Sequence, residues 1–174
     1  LYDTRILGEA AARRGFAADL LADFDERVVG GPLFDLSIIS GTDPETFSLP
    51  YRMYAAIAEV IAEAARLRPA VFIGRCADHV LRDAGLGLLS VFVYGTDAAA
   101  KSARAVELDG VAPGEAERYV ARKDRSRARY QQFFTGTRFG DLREYDLCLN
   151  SARLGYRTCA DLVVAAAPRT PAAS

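Results

Sequence analysis

The chain has 174 residues, 51% of them hydrophobic and 10% aromatic, with 22 Lys and Arg against 23 Asp and Glu for a formal net charge of -1. That is apolar material enough for one domain with a substantial core, which excludes a disordered chain, and near-neutrality argues against a general nucleic-acid binder, which is basic over a whole face. Three widely spaced cysteines, Cys76, Cys148 and Cys159, fit neither a CxxC metal pair nor a disulfide framework and suggest a cytoplasmic protein, and no membrane span or signal peptide is read.

In chain order, short apolar runs alternate with helical stretches, the pattern of a parallel α/β architecture. A first strand fragment closes at Asp3, which is also a candidate N-cap for the segment after it. Residues 30–48, with Gly30-Gly31-Pro32 and Gly41-Thr42-Asp43-Pro44, read as a loop-rich excursion on the substrate side. From Tyr51 to Leu67 the apolar residues follow helical spacing, with Pro50 where a helix start tolerates it. Ala70 to Gly74 and Leu88 to Gly95 read as buried strands. Asp97 is the N-cap of a helix to Leu108, and Pro113 opens another that continues into an arginine cluster. Tyr145 to Asn150 is a third strand. A last helix covers Thr158 to Ala167, Pro168 ends it, and the remainder is a frayed tail. Ligands of open parallel sheets sit outside the carboxyl ends of the strands, which draws attention to Arg75, Thr96, Asp97, Asn150 and Ser151.

The arginine cluster is Arg122-Lys123-Asp124-Arg125-Ser126-Arg127-Ala128-Arg129-Tyr130, followed by Phe133-Phe134-Thr135-Gly136. Guanidinium is a planar, permanently charged fork of donors, suited to phosphate. Arg122, Arg125 and Arg129 share one helical face, where like charges repel unless an anion sits between them; Arg127 points elsewhere. The plain alternative is a solvated helical face. Asp124 either orients an arginine or touches substrate, or is a local salt-bridge partner. His79 is the only histidine, which excludes a His-based triad or a multi-histidine metal site. Cys76 beside Arg75 reads as a buried structural thiol rather than an activated one.

Several separated motifs in order carry a resemblance. They are Tyr2-Asp3, Phe47-Ser48-Leu49-Pro50-Tyr51, Val71-Phe72-Ile73-Gly74-Arg75-Cys76-Ala77-Asp78, the stretch from Asp124 to Gly136, and Tyr145-Asp146-Leu147-Cys148-Leu149-Asn150-Ser151. Together they resemble the cytidylate kinase-like family of P-loop kinases, over residues 1 to about 165. The resemblance implies a P-loop kinase-like parallel sheet flanked by helices, as a single nucleoside-monophosphate-kinase-like domain over residues 1–167 with a disordered tail at 168–174. It also implies transfer of the γ-phosphoryl group of ATP, with Mg²⁺, to a nucleoside monophosphate.

The family places a strand and a Gly-rich phosphate loop before the Tyr-Asp pair, whereas no G-x-x-x-x-G-K-[ST] occurs in these residues, whose only lysines are Lys101 and Lys123. The expectation is therefore a truncated sequence, lacking the first, central strand and the phosphate loop and inactive or very weak as it stands. By resemblance Arg122, Arg125 and Arg129 are catalytic lid arginines. Arg75 contacts the acceptor nucleotide; Asp78 stands displaced from the family's Gly-Arg-Asp by Cys76-Ala77. Arg52, Asp3 and Asp124 complete the substrate-binding set, and no protein metal ligand is expected. Two alternatives remain: a nucleotide-binding pseudo-kinase, and an RNA-binding domain stacking bases on Tyr130, Phe133 and Phe134. Neither the acceptor base nor the oligomeric state is readable.

Overall fold

Apolar spacing in the first long helix builds the hydrophobic core. The computed structural model describes Leu1, Tyr2, Ile6, Glu9, Arg13, Gly15 and residues 44–167, residues 44–49 by backbone alone. Expectations that concern Asp3, residues 30–43 and the tail 168–174 lie outside the described residues. The chain divides into two compact units, Leu1–Leu88 with Arg125–Phe139, and Leu89–Asp124 with Gly140–Ser174. The described residues form a mixed architecture in which helices flank a small parallel sheet.

In the first unit, α1 spans Pro44–Leu67. Met53, Ile57, Val60 and Ile61 recur on one face and are buried, Ile57 and Ile61 completely. Each such side chain contributes about 1.5–3 kcal/mol through burial. The helix begins at Pro44 rather than at Tyr51, so Pro50 lies inside it and residues 44–48 are not loop. Pro44 occupies the first position, where a missing N–H costs nothing. Pro50 forgoes one backbone bond, offset in part by burial of its ring. The helix stops at Leu67, two residues before Pro69.

The run from Ala70 to Gly74 is not a buried strand. It makes an isolated parallel bridge between Tyr2 and Phe72, with Tyr2 N donating to the Val71 carbonyl at 2.8 Å and Ile73 N to the Tyr2 carbonyl at 3.0 Å. Phe72 turns inward and stacks on Tyr2 at 5.2 Å, while Val71 and Ile73 are 63% and 58% exposed. Strand alternation sends neighbouring residues to opposite faces, and only the Phe72 face meets the core among the described residues. After the turn at Gly74 to Cys76, α2 (Ala77–Asp83) packs Val80 and Leu81 against α1. At seven residues it is too short to show a helical period.

In the second unit β1 (Val91–Tyr94) and β2 (Leu147–Asn150) pair in parallel, Val91 opposite Leu147 through Tyr94 opposite Asn150. β1 is shorter than the expected strand and half-buried, with Val93 51% exposed, because β2 is its only partner strand among the described residues. Buried Ser90 ties the two strand starts together: its N–H donates to Asp146 Oδ2 at 2.7 Å, and its carbonyl accepts from Asp146 N and Leu147 N.

Asp97 caps α3 (Ala98–Asp109) as expected, accepting from Ala100 N at 3.0 Å, and Gly110 closes the helix with φ 67°. Pro113 opens a 3₁₀ turn, Pro113–Glu115, that leads into α4 (Ala116–Thr135). Residues 116–124 of α4 belong to the second unit and 125–135 to the first. After the 3₁₀ turn Leu142–Glu144 and β2 come α5 (Ser151–Leu154) and α6 (Tyr156–Ala166), separated by Gly155 at φ 76°. The last helix thus begins two residues before Thr158, since Gly155, at φ 76° and ψ 157°, separates it from α5. No helix of the described residues is long and apolar enough to cross a membrane.

Candidate functional site

The arginine-rich helix is amphipathic. Tyr130 lies in the first unit's core, Phe133 and Phe134 pack against that core, and Arg122, Arg125, Arg127 and Arg129 are all exposed. Arg125 and Arg129 share one face in the first unit, about 6 Å apart along the helix axis at ~1.5 Å per residue, and Arg122 belongs to the second unit. Among the described residues none of these three is in an ion pair with a carboxylate. Arg122 instead lies over the Tyr119 ring, 5.5 Å from its centroid.

A hydroxyl knot closes the helix. Thr135 Oγ1 donates to the Gln131 carbonyl at 2.7 Å, Thr137 N donates to Thr135 Oγ1 at 3.1 Å, and Gln131 Nε2 donates to Thr137 Oγ1 at 3.0 Å. Gly136, left-handed at φ 69°, donates its N–H to the Gln132 carbonyl at 3.0 Å, which gives one of the carbonyls at the helix end a partner.

Arg75 stands in an unusual backbone. Gly74, Arg75 and Cys76 have φ of 71°, 59° and 53°, three consecutive left-handed residues closed by Ala77 N donating to the Gly74 carbonyl at 3.1 Å. Left-handed geometry costs a residue bearing a Cβ about 1–2 kcal/mol, so Arg75 and Cys76 are held there by their surroundings. Cys76 is buried, 7% exposed, and Arg75 projects over the Tyr130 ring with its guanidinium carbon 5.7 Å from the centroid. Burial, reinforced by the Asp78 carboxylate and opposed by Arg75, pushes the Cys76 thiol up to about 12. It is a structural thiol rather than a nucleophile. Burial likewise raises Tyr54, with smaller contributions from Cys76, Asp83 and Asp78.

The remaining expected residues are spread over both units. Asp78 lies one turn from Arg82 and pairs with it at 3.3 Å. Arg52 is exposed on α1, next to Tyr51, whose ring meets Phe133 at 5.1 Å. Asp3 lies outside the described residues. Asp124 pairs with Lys101 of α3 at 3.0 Å, the local salt bridge that was the alternative to a substrate contact. At the carboxyl ends of β1 and β2, Asn150 Nδ2 donates to Thr96 Oγ1 at 3.1 Å and Ser151 Oγ to the Tyr94 carbonyl at 3.0 Å.

The first unit therefore contains Arg75, Asp78, Arg52, Arg125 and Arg129, with Arg75 against the residue that follows Arg129. Sequence reasoning missed the partners Tyr130 and Lys101; the signal for Lys101 was its rarity among so many arginines. Tyr130, buried to 7% exposure, is not available to stack on a base as the RNA-binding alternative requires.

A family model described as the cytidylate kinase-like family matches residues 1–153. The chain belongs to the cytidylate kinase-like family. Among solved structures it is similar to an uncharacterized protein from Eubacterium ventriosum, at 23% identity and a TM-score of 0.61, over 92% of this chain and 88% of that one. That likeness concerns the fold alone. No curated protein matches. Family membership supports a kinase-like function on nucleotides, for which ATP and Mg²⁺ are the general requirements. No group of three or more His, Cys, Asp or Glu among the described residues is arranged to hold a metal ion. Magnesium in phosphoryl transfer is held largely by water and substrate phosphates, and no side chain is assigned to it.

Proposed function

We propose that the protein transfers the γ-phosphoryl group of ATP to a nucleoside monophosphate, with α4 as the phosphate-clamping helix and Arg75 as the acceptor-side arginine. The observation that carries this reading is the exposed stripe of Arg125 and Arg129, without carboxylate partners among the described residues, in a chain of the cytidylate kinase-like family. Phosphoryl transfer requires positioning and neutralisation of charge spread over the transferred group's oxygens, and guanidinium donors supply both. Arg125 and Arg129, one turn apart, can each present a fork of N–H donors to adjacent phosphate oxygens. Their mutual repulsion falls when an anion enters, so their charge acts on the bound state and more on the transition state than on the empty protein.

Arg75 is held over an aromatic face by a strained turn, which fixes the start of its side chain before any ligand arrives. Asp78, by orienting Arg82, and Arg52 complete the proposed acceptor side within the first unit, whereas Asp124 of the second unit is engaged by Lys101. The donor phosphates need a Gly-rich loop that these residues do not contain as a motif, so the reaction is tested on the full-length native protein.

That protein, with ATP and Mg²⁺, is expected to phosphorylate at least one common nucleoside monophosphate. Arg125→Ala or Arg129→Ala is expected to lower kcat by about 10- to 100-fold, in line with the loss of one charge-stabilising group. Transfer to none of the common nucleotides would sink the kinase reading; nucleotide binding without transfer would establish the pseudo-kinase instead. An unchanged kcat in both variants would return the stripe to a merely solvated face.

A further inference from the structure

The strained turn and the arginine helix meet at one contact. Arg75 has its backbone fixed by a left-handed turn, and its guanidinium lies over Tyr130 within the roughly 6 Å at which a cation is attracted to a ring face. Tyr130 cannot swing away. It is 7% exposed and packs on Phe134 at 4.7 Å, which in turn stacks on Tyr54 at 4.5 Å. The helical turn that carries Tyr130 also carries Arg129 and is knotted at its end through Gln131, Thr135 and Thr137. An arginine left to itself samples many rotamers; one seated on a fixed ring samples few.

We propose that Tyr130 is a positioning residue: its ring seats the Arg75 guanidinium for the acceptor phosphate and holds it in register with the phosphate-binding arginines of α4. This rests on the acceptor role proposed for Arg75. The ring makes no contact with the nucleotide in this scheme; it acts by reducing the ordering that Arg75 must undergo on binding, an effect on acceptor affinity rather than on the chemical step.

The test is calorimetric titration of the four common nucleoside monophosphates into the full-length protein, in a double-mutant cycle. Arg75→Ala is expected to weaken binding by about tenfold or more, the loss of a charged phosphate contact. Tyr130→Leu and Tyr130→Met are each expected to weaken it roughly 3- to 30-fold, the range spanned by exposed to desolvated cation–π contacts. Tyr130→Phe should bind within about twofold of the native protein, because the ring face is kept. The Arg75→Ala/Tyr130→Leu pair should bind no more weakly than Arg75→Ala alone.

Ile61→Val trims the same buried core while keeping every ring of the stack; it should lower the thermal midpoint and leave nucleotide affinity unchanged, which separates seating from mere core packing. Should Tyr130→Leu fail to fold, Tyr130→Met carries the test, since methionine fills the space without a ring. Native-like affinity in folded Tyr130→Leu or Tyr130→Met, alongside lost affinity in Arg75→Ala, would overturn the proposal and leave the acceptor reading standing. Native-like affinity in Arg75→Ala would remove the acceptor reading and the proposal with it.

Discussion

The two units bury very different amounts of apolar side chain. In the first, Ile6, Met53, Ile57 and Ile61 are almost wholly enclosed, and Val60, Val80, Leu81 and Tyr130 surround them. In the second, the buried residues are Ser90, Ala105, Ala116, Leu149 and Cys159, mostly small, while Leu162 and Val164 of α6 are 41% and 75% exposed. Stability scales with buried apolar area, so the first unit holds most of it and the second is the softer region. The second unit relies instead on local devices: the Ser90 bonds, the Asp97 cap and the side-chain bridge between Asn150 and Thr96. A hydrophobic core thus lies under Arg75, whereas the residues at the carboxyl ends of β1 and β2 sit over a hydrogen-bonded frame.

The largest expected effect tests that contrast directly. Ile57→Ala should cost about 2–5 kcal/mol in denaturant unfolding, whereas Leu149→Ala in the second unit should cost less; equal losses would break the comparison. Next comes Gly140→Ala in the second unit. Gly140 has φ 78°, and an added Cβ would lie 3.2 Å from the Phe92 ring, where Phe92 already stacks on Tyr145 at 4.9 Å. A destabilisation of about 1–2 kcal/mol is expected from the left-handed backbone alone. Hydrogen exchange should show it in β1 and β2 while α1 stays protected.

The smallest effect is a pH dependence in the first unit. The Cys76 thiol is raised from 9.0 to about 12, so the folded protein holds a proton that the unfolded chain releases above 9.0. Its contribution is full below pH 9.0 and is lost as pH rises toward 12. Between about pH 8 and pH 10, native protein should lose about 1 kcal/mol more than Cys76→Ala. An identical pH slope in the two would mean that Cys76 is not held neutral by burial.

The helices of this fold were legible where side chains state their own boundaries. Asp97 announces a cap, the apolar spacing after Tyr51 announces a face, and Pro113 announces a start. Pro50 misled, because proline at a helix start and proline inside a first stretch of helix share the same φ. The run at Ala70 to Gly74 misled for another reason: continuous apolar sequence suggests burial on both faces, but which faces are covered depends on partners far along the chain. For the candidate site, the place after an apolar run singles out Arg75 in the sequence but does not reveal its left-handed backbone, since Arg and Cys carry no local signal for positive φ. The pairing of Lys101 with Asp124 joins two helices, α3 and α4, a tertiary contact with no sequence period behind it.

The turn at Gly74-Arg75-Cys76 has an evolutionary consequence. Glycine at position 75 would relax the backbone and stabilise the fold, so random drift under selection for stability alone leads away from arginine there. On the acceptor role proposed for Arg75, what its guanidinium does is what offsets the strained backbone, and relatives without the proposed transfer are expected to be the ones that carry glycine there.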